Sequence, residues 1–171
     1  MKKLLIGGLL AAFFAGKVVY ADGLQFSAYL SGAQEVPAVE TEGSGRVKVK
    51  FDKGLSSLWV NVKVRNLAGN LVGAHFHCGL PGTNGPVAFG LIAPGDLTFD
   101  GQRIKGTLDN SDFTGADCTG AVGRPVSNIA ALAFAMEEGL IYLNVHTDFL
   151  PSGEVRGQLL EDEDEDDEDD D

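Results

Sequence analysis

Gly45-Arg46-Val47-Lys48-Val49-Lys50-Phe51-Asp52 alternates without a fault: Val47, Val49 and Phe51 fall on one side, Arg46, Lys48 and Lys50 on the other. A period of two sends successive side chains to opposite faces of a pleated strand, so this stretch is a half-buried β-strand. Residues 57–65 repeat the pattern, with Leu58, Val60, Val62 and Val64 inward and Trp59, Asn61 and Lys63 outward. Asp52-Lys53-Gly54 lies between them and supplies the turn of an antiparallel hairpin. Working outward, residues 24–31 alternate with Phe26, Ala28 and Leu30 on one side. Further strands are predicted at 71–77, 87–93, 103–109, 140–146 and 153–160, joined by linkers rich in Gly, Pro, Asn and Asp. Two of these linkers are long: Gly79 to Pro86, and residues 110–126. Ser127 to Gly139 is alanine-rich and does not alternate. It is predicted as a short helix that Ser127 caps and Gly139 ends. About eight strands and one helix predict an all-β domain, a β-sandwich with Greek-key connections.

The two ends stand apart from this pattern. Lys2 and Lys3 precede an apolar run from Leu4 to Gly16, and Val19-Tyr20-Ala21 offers small residues where a signal peptidase would cut. Residues 1–21 are therefore read as a signal peptide. The run is too short to span a bilayer comfortably and Lys17 interrupts it, so no stable membrane insertion is expected after cleavage. At the other end Glu161 to Asp171 are all acidic, and such a run is expected to be a disordered tail. The net charge of −12 therefore misrepresents the body. Without the 11 tail acids and the three leader lysines, 14 acids and 10 bases remain, about −4. No basic patch is legible and the tail would repel phosphate, so nucleic acid is not expected as a partner.

The chemistry concentrates in Ala74-His75-Phe76-His77-Cys78. The third histidine, His146, lies in Tyr142-Leu143-Asn144-Val145-His146-Thr147. Alternation pairs Phe76 with Ala74 toward the core and turns His75 and His77 outward. In the later run Ile141, Leu143 and Val145 face inward, and Tyr142, Asn144 and His146 outward. If the two strands are neighbours, the three imidazoles can meet, because opposed Cβ atoms lie about 5 Å apart. Imidazole nitrogens suit copper, zinc, nickel or iron. An exported site without cysteinate or carboxylate ligands favours copper, with zinc second. The competing reading is structural: the same histidines can hydrogen-bond Asn144, Tyr142 or loop carbonyls and only fix the loops. Cys78 and Cys118 are the two cysteines, an even number in a chain read as exported, and a disulfide between them is expected. Two reduced thiols, or a Cys78 thiolate ligand, are the alternatives. Met136 and Cys78 are candidate fourth ligands. Glu154, Arg156 and Gln158 share a strand face read as polar with charge pairs to its neighbour, and Glu154 is a candidate for orienting His146. Trp59, on a polar face, is a candidate binding patch.

Four stretches in order carry a family resemblance: Phe26-Ser27-Ala28-Tyr29-Leu30-Ser31-Gly32-Ala33-Gln34-Glu35-Val36-Pro37; Ala74-His75-Phe76-His77; Asn84-Gly85-Pro86-Val87; and Ile141 to Thr147 followed by Pro151 to Gln158. Together the chain resembles the CHRD (chordin-type) domain in its exported bacterial single-domain form, over residues 22–160. The resemblance implies an immunoglobulin-like β-sandwich and a periplasmic or secreted location, and says little about activity. Phe76 between the histidines, Cys78 after them and the acidic tail depart from the common family form. Three functions follow in order. The first is an exported protein binding copper, or zinc, through His75, His77 and His146. The second is an extracellular structural module without metal that holds a protein, a polysaccharide or a second copy of itself. The third is an enzyme, for which no nucleophile–base arrangement is legible.

Overall fold

A computed structural model describes residues 23–91, 97–112 and 117–162. The expected signal peptide and residues 163–171 of the expected tail lie outside them. The described chain is all-β. In chain order its strands are β1 (Gln25–Ser31), β2 (Ser44–Phe51), β3 (Ser57–Arg65), β4 (Leu71–Cys78), β5 (Val87–Gly90), β6 (Thr98–Phe99), β7 (Arg103–Asp109), β8 (Ile141–Thr147), β9 (Val155–Gln158) and β10 (Leu160–Glu161). Between β7 and β8 lie α1 (Thr119–Val122) and α2 (Ile129–Glu137). Alternation placed most of these strands within a residue or two. β6 escaped it because two residues carry no period.

The strands form one curled antiparallel sheet in the order β5-β4-β8-β9-β1-β2-β3-β7-β6, with β10 also on β1. In place of the two packed sheets of the expected Greek-key sandwich, the described strands make a single continuous sheet with two arms. The join is narrow: β1 runs along β2 from Gln25↔Lys50 to Ser31↔Ser44, but meets β9 only at Ser31↔Arg156. Gly157 permits that approach, since a Cβ there would lie 2.4 Å from the Tyr29 carbonyl oxygen. Both arms turn their apolar residues into one core. Phe26, Val47, Phe51 and Val60 come from one arm, and Phe76, Leu143 and Val145 from the other. Burying each of the larger side chains contributes about 1.5–3 kcal/mol. Phe26 and Phe51 meet edge to face, with centroids 5.8 Å apart.

α2 packs on β8 and β10. Asn128, not Ser127, caps it: extended at φ −163°, Asn128 accepts the Ala131 N–H at 2.8 Å. Gly139 follows at φ +66°, a left-handed conformation that glycine adopts without strain. A disulfide joins Cys78 at the end of β4 to Cys118 at the start of α1, with Cα atoms 5.9 Å apart and both residues buried. The acidic run begins on the fold: Glu161 pairs with Phe26 in β10, the Asp162 N–H donates to the Gln25 carbonyl at 2.9 Å, and Ser27 Oγ donates to the Asp162 carboxylate.

Candidate metal centre

β4 and β8 are antiparallel neighbours, the adjacency on which convergence of the histidines depended. Their register places His75 opposite Asn144, His77 opposite Tyr142 and His146 opposite Gly73. Phe76 and Ala74 point into the core, and the three imidazoles share the other face. Gly73 sets the spacing. A Cβ at that position would sit 3.3 Å from both His146 Cδ2 and His75 Cε1, so its absence lets the two rings close diagonally. On the far side His75 borders Gly90 of β5, again without a side chain in the way.

The hydrogen bonds fix which nitrogens are free. His77 Nδ1 lies 2.9 Å from the Gly85 carbonyl oxygen and His146 Nδ1 lies 3.0 Å from that of Pro151. A carbonyl only accepts, so each Nδ1 carries its ring's proton and each Nε2 keeps a lone pair. His146 Nε2 faces His75 Nδ1 at 3.0 Å. His77 Nε2 is buried and has no hydrogen-bond partner. The ligand atoms the three residues offer all lie within 4.8 Å of one another. Two bonds of about 2 Å span at most about 4 Å, so closing on an ion needs a shift under about 1 Å at the widest pair. Gly85 is needed where it stands: a Cβ there would fall 1.6 Å from the Cys78 carbonyl oxygen. The adjoining Cys78 N–H to Pro86 carbonyl bond, 3.0 Å, holds this loop against β4.

Burial holds all three imidazoles neutral. His75 is lowered to about 4 by desolvation and then by His146 and His77. His77 and His146 are also lowered, each chiefly by desolvation. Neutral imidazole is the form that binds metal, so little proton competition remains at neutral pH. Glu35 shifts the other way, raised to about 7 by desolvation against the opposing pull of Arg156 and Asn144. Between pH 6.5 and 4.5 the unfolded chain protonates its histidines while the fold resists, so acidification destabilises the fold. Glu35 opposes this, because the folded state keeps its proton in a range where the unfolded chain has lost it. Three imidazoles outweigh one carboxyl. The urea midpoint of metal-free protein is therefore expected to fall as pH drops through this window, and to fall more steeply in Glu35→Gln. Asp52, lowered to about 2 by the Ser57, Ser56 and Gly54 amides, titrates below the window. A flat profile would show that the imidazoles are not desolvated as described.

The outward face of this arm is largely covered, with the three histidines half-buried. Tyr142 is 1% exposed, Asn144 5%, Arg156 2% and Glu35 7%, so a second, polar layer covers β8 and β9. Tyr142 stacks on His77 with centroids 5.0 Å apart, and its hydroxyl accepts the Gly85 N–H at 3.1 Å. The Arg156 guanidinium lies 3.8 Å from the Tyr142 ring centroid and donates to Asn84 Oδ1 and the Thr83 carbonyl at 3.1 and 2.9 Å. Asn84 Nδ2 donates to the Val36 carbonyl at 2.7 Å, and Asn144 Nδ2 to Glu35 Oε2 at 3.3 Å. Residues 32–37 and 79–86 thus roof the histidine face.

Other expected site residues fall elsewhere. Cys78 is in the disulfide and offers no thiolate, and Met136 is buried in the core cluster. Glu154 does not orient His146, whose Nδ1 is held by Pro151. It is fully buried instead and accepts from Thr41 Oγ1, Thr147 Oγ1 and the Ala68 N–H, each at 2.7 Å, which gathers three segments on one carboxylate. Gln158 donates to the carbonyls of Gly79, Gly139 and Ile141, and the expected charge pairs along this face are absent among the described residues. Trp59 is 40% exposed.

Fold and site together define a disulfide-linked β-domain with a half-buried tri-histidine cluster on one arm of its sheet. The chain belongs to the CHRD domain family, whose model matches residues 26–159. No curated protein and no solved structure matched it. Among the described residues no helix is long and apolar enough to cross a membrane.

Proposed function

We propose that this chain is an exported protein that binds one transition-metal ion, copper before zinc, through His75, His77 and His146. The observation that carries the reading is His77 Nε2, a buried lone pair with no partner beside the facing nitrogens of His75 and His146. A histidine that only clamps a loop would use its Nδ1 bond and leave Nε2 to solvent. Here Nε2 is desolvated and unpaired, a cost that a bound ion removes. Second-layer carbonyls hold two of the rings by Nδ1, as such partners orient metal-binding histidines. The ligand set is neutral, with no carboxylate in the cluster. The Arg156 charge acts on His77. A doubly charged ion is penalised there more than a singly charged one, which favours copper in its cuprous state over zinc. The expected signal peptide and the disulfide support export, into a periplasm or outside the cell. Storage or delivery of the metal is the role this geometry fits best.

Titrating metal-free full-length chain with cuprous and zinc ions tests the reading. One equivalent of copper is expected to bind, to raise the thermal midpoint and to resist displacement by zinc. A chain that takes up neither ion overturns it. The exposed Trp59 and Tyr29, on the opposite arm, favour a second reading as an extracellular binding module without metal. That reading predicts unchanged partner binding when all three histidines are replaced by alanine.

A further inference from the structure

The outward side of the β1-β2-β3-β7 arm is cationic. Register aligns Tyr29, Arg46, Lys63 and Arg103 in one row across the four strands, and Ser27, Lys48, Asn61 and Lys105 in the next. A third row holds Gln25, Lys50, Trp59 and Thr107. No carboxylate stands in these rows. Among the described residues the ion pair is Arg124 with Glu138, away from this face. Arg46 lies over Tyr29, 5.1 Å from its ring centroid, and Arg103 Nε donates to Asn61 Oδ1 at 2.8 Å. The ammonium groups of Lys48, Lys50, Lys63 and Lys105 have no hydrogen-bond or ion-pair partner among the described residues. The sequence showed no basic patch because these cations alternate with core residues and lie on strands as far apart as β2 and β7.

The polyanion that fits this face starts at its edge. β10 pairs with β1 at Ser27 and Phe26, and Asp162 is held by Ser27 Oγ and the Gln25 carbonyl. Ser27 and Gln25 belong to the cationic rows. Every residue from 163 to 171 is acidic. The face spans three interstrand gaps, about 14 Å, and nine residues extend to about 30 Å. Tethering places these carboxylates at roughly millimolar effective concentration. An external polyanion would instead approach a chain of net charge −12. We propose that residues 163–171 dock on the cationic face of their own domain, over Lys48, Lys63 and Lys105, and shield it from other polyanions.

A spin label on Asp171→Cys in the full chain tests this, since both native cysteines are in the disulfide. At low ionic strength the amide signals of Lys48, Lys63 and Lys105 are expected to lose intensity while those of β4 and β8 do not. The loss should vanish near 1 M salt, where the Debye length is about 3 Å, and in Lys48→Glu/Lys63→Glu/Lys105→Glu. A chain ending at Asp162 is expected to be retained on immobilised heparin, the full chain to pass, and the truncated triple variant to pass. Absence of the intensity loss at low salt, or equal loss on both arms, overturns the proposal. If the truncated chain then still binds heparin, the face serves an external polymer and the acidic run does not cap it.

Discussion

His77→Ala is expected to lower copper affinity by more than about 100-fold, beyond the roughly 10–100-fold that follows loss of a residue supporting a ligand. Two imidazoles would remain, with His75 Nδ1 and His146 Nε2 3.0 Å apart and already satisfied by their mutual hydrogen bond. The fold should survive. His77 contributes one hydrogen bond to Gly85 and one stacked contact with Tyr142. These are worth about 1 kcal/mol and about 0.5–1.5 kcal/mol, against a usual total of about 5–15 kcal/mol. His77→Phe sharpens the test. It keeps the ring against Tyr142 but has no nitrogen, so it should stay nearer wild-type stability and bind no copper. Calorimetric titration with a parallel urea midpoint separates the two effects. If the histidines only clamp loops, both variants will lose stability and neither will change metal uptake, because none was present to lose.

Much of this arrangement was legible where side chains alternate. Val47, Val49 and Phe51 against Arg46, Lys48 and Lys50 left one reading, and the burial pattern of β2 follows it residue by residue. Phe76 inward with His75 and His77 outward came from the same rule. Joining β4 to β8 did not, since nothing local tells strands more than sixty residues apart that they are neighbours. The single sheet was hidden for a similar reason: it rests on one register pair, Ser31↔Arg156. Bonds from the histidines to loop carbonyls were among the readings, but which loops cover the face was not legible, because Glu35, Asn84 and Arg156 are far apart in the chain. The difference between the arms was nevertheless written in the residues. The exposed side of β2 carries Arg and Lys, whereas the outward side of β8 carries Tyr142, Asn144 and His146, none charged when imidazole is neutral. A strand whose second face is polar but uncharged is prepared for a polar cover, and Glu35, Asn84 and Arg156 supply it here. The charge pair expected of Arg156 with the next strand is replaced by a ring and two loop acceptors, which strand alternation does not reveal.

Arg156→Ala is accordingly expected to destabilise the protein by about 3–6 kcal/mol, from the loss of two hydrogen bonds made by a charged donor at about 1.5–3 kcal/mol each. The guanidinium is 2% exposed and joins β9 to the Tyr142 ring, Asn84 and Thr83. Its loss leaves Asn84 Oδ1 and the Thr83 carbonyl without their donor and removes the cation beside Glu35. Glu35 can then neutralise itself by keeping its proton, because Arg156 is the charge that opposes its upward shift. That response cushions the variant and predicts a coupling. Arg156→Met/Glu35→Gln should lie closer to wild type than the sum of the two single losses, since the double variant leaves neither charge buried alone. Urea midpoints at pH 7 measure all four proteins, and strict additivity would mean the two side chains do not sense each other. The same network bears on the metal. Asn84 precedes Gly85, whose carbonyl holds His77 Nδ1, so slackening the loop loosens the ring that offers the unpaired nitrogen. Arg156→Ala should therefore weaken copper binding through the position of His77, although Arg156 is no ligand. Copper affinity in Arg156→Met discriminates the two influences of this residue: a rise would mean that its charge dominates at the site, and a fall that its hold on the loop does.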